Sequence, residues 1–142
     1  EACWQEAGPL RLRSFAAQNL QQRSEQVRKR YLKLTQPSAL ASELHVFRIA
    51  CKKLRYCAEL FAPLYEGSGK KRYLSALVKL QDTLGMMNDI AVARRLLDEL
   101  GTGAQHEAAM LIRGWVEHDY AQLMDNLHQA WKKFSRCEKF FQ

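Results

Sequence analysis

Apolar residues recur three, four or seven positions apart along four stretches of the chain. None of these stretches alternates apolar with polar, as a half-buried strand would. The first runs from about Pro9 to Leu34, with Leu10, Ala17, Leu20, Val27, Tyr31 and Leu34 on its stripe. Gly8-Pro9 suits its start, because proline is tolerated in the first turn of a helix. The second runs from about Pro37 to Leu64, after the Thr35-Gln36-Pro37 break. The third runs from about Ser68 to Leu100, between Gly67 and Gly101. The fourth runs from about Ala104 to Arg136, with Ile112, Val116, Leu123, Leu127, Ala130 and Phe134 on one stripe. Short connections make consecutive helices antiparallel neighbours. The pattern therefore predicts an all-α fold, an antiparallel up-down four-helix bundle with long helices. Its 142 residues suffice for one core, so residues 1–142 are read as a single domain.

The second segment sorts most clearly into faces. At ~100° per residue, Leu44, Phe47, Cys51, Leu54, Ala58 and Phe61 share an arc that should face the core. His45, Arg48, Lys52 and Arg55 fall in a neighbouring arc about 80° wide, which Glu59 extends. Like charges three or four residues apart repel by roughly 0.2–0.5 kcal/mol per pair on an exposed helix. Arg48–Lys52 and Lys52–Arg55 have that spacing. A bound polyanion would account for such a stripe, since arginine forks onto phosphate oxygens and lysine acts as a point charge. A solvated stripe with Glu59 pairing Arg55 accounts for it equally well.

In the third segment the apolar arc holds Tyr73, Leu74, Leu77, Leu80, Leu84, Met87 and Ala91, and it also contains Gln81 and Asn88. Amides on a core face need partners. They either bond across to a neighbouring helix, fixing register, or line a polar channel. Gly85 costs roughly 0.8–1 kcal/mol against Ala in a helix. Close approach of a neighbour or a kink would explain it.

Composition sharpens the picture. Lys and Arg number 22 against 15 acids, for a net charge of +7. The first segment alone carries a net +6, with Arg28, Lys29, Arg30 and Lys33 clustered near its end. Solvated faces usually mix signs, so this bias favours an anionic partner: nucleic acid, a phosphate polymer or an acidic membrane. Cys3, Cys51, Cys57 and Cys137 form no CxxC pair, and free thiols point to a reducing, cytoplasmic setting. No run of ~18 apolar residues is present, so no membrane span is expected. The opening Glu1, with Trp4 close behind, reads as the start of an excised piece.

Two strings resemble a known family. LHVFRIACKKLRYCAELF is similar to the signature helix of the CHAD family, the conserved histidine α-helical domain. Its pattern is His-x-x-Arg-x-x-x-Lys-Lys/Arg-Leu-Arg-Tyr-x-x-Glu, matched by His45, Arg48, Lys52, Lys53, Leu54, Arg55, Tyr56 and Glu59. LVKLQDTLGMMNDIAVARRLL resembles the family's next helix, Leu-Gln-Asp-x-Leu-Gly-x-x-Asn-Asp, through Leu80, Gln81, Asp82, Leu84, Gly85, Asn88 and Asp89. The resemblance covers residues 44 to 97; the flanks match only in helical character. It implies two related four-helix halves with a basic surface that binds inorganic polyphosphate, in some members beside a CYTH-type triphosphatase domain. This chain resembles the second, C-terminal half, so an upstream CYTH-type domain and the first CHAD half are expected partners.

The expected polyphosphate contacts are His45, Arg48, Lys52, Lys53, Arg55 and Lys79, the last because it sits two residues before Gln81. Binding rather than catalysis by this segment is implied, with no cofactor and no metal. Asp125-x-x-His128 is half of a carboxylate-bridged metal pair whose other half is not visible. GSGKKR lacks the Walker spacing, although Gly67-Ser68-Gly69 could offer helix-start N–H groups to a phosphate. Aromatics are not interleaved with the stripe, which argues against base stacking. The alternatives are a nucleic-acid-binding helical module and a structural appendage to an upstream enzyme domain.

Overall fold

The computed structural model describes residues 8–39, 41–100 and 106–142. Four helices follow one another: α1 (Pro9–Leu34), α2 (Ala41–Phe61), α3 (Gly69–Leu100) and α4 (His106–Ser135). Among the described residues there is no strand. Each helix packs on the next in chain order, giving the expected up-down bundle.

Local chemistry sets most of the boundaries. Pro9 sits in the first turn of α1, and Lys33 lies in its last turn, where a cation complements the dipole. The Thr35 N–H closes the helix on the Tyr31 carbonyl at 3.1 Å, just before Pro37. Pro37 was expected to open the second helix but lies in a turn instead, and α2 begins at Ala41. At its other end Pro63 cannot donate an N–H and restricts Ala62, so Ala62–Leu64 tightens into a 3-10 turn. Gly67 then takes φ +107°, a conformation that favours glycine, and turns the chain into α3. The expected start of the fourth helix, at Ala104, lies outside the described residues, as do Cys3 and Trp4.

The core is the predicted set in its central part. Leu20 and Val27 of α1, Phe47, Cys51, Leu54 and Ala58 of α2, Leu77, Leu80, Leu84 and Met87 of α3, and Leu127 of α4 have no exposed surface. Burying a large side chain of this kind stabilises by roughly 1.5–3 kcal/mol. The backbones of α1 and α4 scarcely approach each other, and large side chains bridge them. Tyr31 stacks on Trp131 with ring centroids 4.1 Å apart, and its hydroxyl bonds His128 Nδ1 at 2.7 Å. His128, half of the metal pair considered above, is thus engaged by Tyr31.

Three expectations about packing are corrected. Ala17 is half-buried and Ala16 takes the core position instead. Ala91 is exposed rather than in the core. Ile112, expected on the core stripe of the fourth helix, is 48% exposed. The last two have one cause: α3 and α4, at 32 and 30 residues, outrun the 21-residue α2. At ~1.5 Å per residue α3 is about 48 Å long and α2 about 32 Å, so the α3–α4 hairpin overhangs and its tip has less to pack on. A further element was not foreseen. The tail after α4 folds back, with Phe141 buried and the rings of Phe140 and Phe141 against Tyr73 at 5.5 and 5.7 Å.

Candidate functional site

The α2 edge is built by helix periodicity. The core positions Leu44, Phe47, Cys51, Leu54 and Ala58 anchor one face of α2 inside the bundle. The adjoining stripe is thereby turned toward α3. Arg55 fixes this orientation: its Nη1 donates to Gln81 Oε1 of α3 at 3.1 Å. Of the open explanations for Gln81, the cross-helix bond is therefore the one the structure contains. Arg48 and Lys52 are half-buried on the same stripe, and His45 is exposed at its upper end.

The charges on this edge are not equivalent. Arg55 Nε donates to Glu59 Oε1 at 2.7 Å, so its charge is compensated. That hydrogen bond is also the main reason its pKa is raised. His45, Arg48, Lys52 and Lys53 form no ion pair among the described residues. Lys52 Nζ lies 5.8 Å from the centroid of the Tyr56 ring, and Tyr56 is 56% exposed. The expectation that no aromatic borders the stripe is thus corrected. Tyr56 follows Arg55 directly, and a lysine four residues earlier reaches across one helical turn to it.

The six expected contacts do not form one cluster. Lys53, one step on from Lys52, points about 100° further round α2 and is exposed. Lys79 is displaced more decisively. Two residues on a helix span about 200°, so Lys79 and Gln81 lie on opposite flanks of α3. Gln81 faces α2, whereas Lys79 lines a cavity of about 640 Å³ between α3 and α4, with Arg72, Asp82 and Lys133. Sequence order suggested neighbours where helix geometry separates them. Lys133 carried no sequence signal for this groove, because its partners are more than fifty residues away.

Other features take definite places. Asn88 is half-buried and makes no side-chain hydrogen bond among the described residues. A Cβ built on Gly85 would meet nothing within 4 Å, so neither neighbour approaches closely there. Lys70 Nζ donates to the Tyr65 carbonyl at 2.8 Å, tying down the Gly67-Ser68-Gly69 turn. Arg94 pairs with Glu117 and lies over the Tyr120 ring, and Arg113 pairs with Asp98 at 2.9 Å. These pairs clamp the α3–α4 hairpin, so Arg94 adds no free charge. No helix among the described residues is long and apolar enough to cross a membrane.

Comparison with known proteins adds one positive finding. Neither the curated proteins nor the solved structures searched returned a match. The family model described as the CHAD domain matches residues 2–98, which takes in α1, α2 and nearly all of α3 and leaves α4 outside. The match reaches well upstream of residue 44, where the motif resemblance began. With the signature histidine, arginine and lysines on one helix and the Gln81-containing motif bonded beside it, the chain belongs to the CHAD family.

Proposed function

We propose that the chain binds inorganic polyphosphate, or a closely similar linear polyanion, along the α2 edge, with Arg48 and Lys52 as the principal contacts. The observation that carries this reading is the arrangement of charge. Arg48 and Lys52 stand one helical turn apart without a carboxylate partner among the described residues, while the neighbouring Arg55 is neutralised by Glu59. His45 lies at the end of this edge and Lys53 on the adjacent exposed face, where each could meet a passing chain of phosphates. Family membership supports the same ligand, through the polyphosphate binding that the motif resemblance implies. Arg55 serves to orient the edge against α3, and Lys79 belongs to the separate α3–α4 groove. The segment acts by charge neutralisation and not by chemical turnover, as accessory module to an upstream triphosphatase domain or first CHAD half.

Titration of the chain with polyphosphate at two salt concentrations tests the reading. Affinity should fall steeply with salt, because bound phosphates release condensed counterions. Arg48→Ala together with Lys52→Ala should abolish most of that affinity while the bundle stays folded. Unchanged affinity in that variant would refute the assignment. The exposed Tyr56 beside Lys52 favours one second reading, a single-stranded nucleic acid stacking a base on that ring. Competition decides between them: an oligonucleotide that displaces polyphosphate at equal phosphate concentration, in a manner lost in Tyr56→Ala, supports the nucleic-acid reading.

A further inference from the structure

In the basic cluster near the end of α1, Arg30 pairs with Glu43 of α2 at 4.0 Å. Arg28 and Lys29 instead line a cleft of about 430 Å³ between α1 and α4. The tail after α4 adds Lys139, whose Nζ is held by Gln21 Oε1 at 3.1 Å. Three cations therefore meet in one concavity, where Glu25 is the single acid on the lining and already accepts a bond from Gln21. Trp131 forms an apolar wall. The volume lies in the range of small-molecule pockets, about 300–1,000 Å³. It far exceeds the ~30 Å³ of one water.

Tyr73 of α3 also lines the cleft. Its hydroxyl is shut off from solvent, and burial drives its pKa up, so the group stays protonated and acts as a donor. Ser24 lines the same cleft and is the hydroxyl's hydrogen-bonding neighbour. A serine that accepts from Tyr73 turns its own proton outward, into the cleft.

We propose that this cleft is a second anion site, which takes the phosphate group of a small molecule. Arg28, Lys29 and Lys139 supply the charge, and Ser24, backed by Tyr73, supplies the neutral donor. The site is lined by side chains from α1, α3, α4 and the tail, unlike the open α2 edge, and so suits a compact ligand rather than the middle of a polymer. It stands or falls independently of the polyphosphate reading.

Calorimetric titration of the full chain with inorganic phosphate, and separately with glucose 6-phosphate, tests it in phosphate-free buffer of low ionic strength. Saturable binding of one equivalent of at least one probe is expected. Binding of both assigns the site to free phosphate as well as to esters, and binding of the ester alone assigns it to phosphomonoesters. Arg28→Ala with Lys139→Ala should weaken binding by about tenfold or more, the loss of two charge-assisted contacts. Ser24→Ala should weaken it by a smaller factor with an unchanged melting temperature. Arg48→Ala with Lys52→Ala should leave it within about twofold, since those charges lie on another face. The proposal is overturned if neither probe saturates, or if the loss follows the α2 pair instead of the cleft residues.

Discussion

At the scale of single residues, the informative contrast is between Arg55 and its neighbours Arg48 and Lys52. All three share one stripe, yet among the described residues only Arg55 of the three has a carboxylate partner. Exposed pairs of this kind are worth about 0.2–1 kcal/mol. Glu59→Gln should therefore release Arg55 and strengthen polyphosphate binding by about two- to fivefold, read by the same titration. Weaker binding in that variant would mean that Glu59 supports the site instead of competing with it. Cys51 and Tyr73 give a second prediction. Burial pushes both pKa values up, so the native chain keeps them protonated where the unfolded chain would ionise them. The unfolded state then binds fewer protons at high pH, and stability should fall as pH rises above about 9. Urea melts at pH 7 and pH 10 would show it. By the same burial, a thiol reagent at neutral pH should modify the half-buried Cys57 and Cys137 before Cys51, with Cys51 reacting only on unfolding.

At the scale of elements, the sequence was most legible where periodicity was strict. The central core of α2 and α3 follows from spacing alone, because each apolar residue there has helices on its inner side. Phe47, with no exposed surface and Tyr31 and Trp131 against its ring, shows what that packing is worth. Phe47→Ala should cost about 3–5 kcal/mol in a denaturant melt. The helical stripe misled at the overhanging tip, since periodicity gives the face of a helix but not whether anything lies opposite. Trp115 is 76% exposed and Leu111 71% exposed there, so Leu111→Ser should change stability by less than about 0.5 kcal/mol. Close approach of a neighbouring helix does not explain Gly85. With open space around its Cβ position, Gly85→Ala should raise stability by about 0.5–1 kcal/mol.

At the scale of the whole molecule, positive charge is distributed over separate faces. The α2 edge, the α3–α4 groove with Arg72, Lys79 and Lys133, and the α1–α4 cleft with Arg28, Lys29 and Lys139 are distinct places. Motif order offers no means of separating them, because Lys79 and Gln81 are only two residues apart in the chain yet opposed on the helix. Nor could Lys133 or Lys139 be assigned without knowing where α4 and the tail return. The central claim is that the uncompensated pair on α2, rather than net charge, creates the polymer site. It is tested most directly by measuring polyphosphate affinity at one fixed salt concentration for two double variants that each remove two cations: Arg48→Ala with Lys52→Ala, and Arg72→Ala with Lys133→Ala. The account predicts a large loss in the first and a small one in the second; equal losses in both would contradict it.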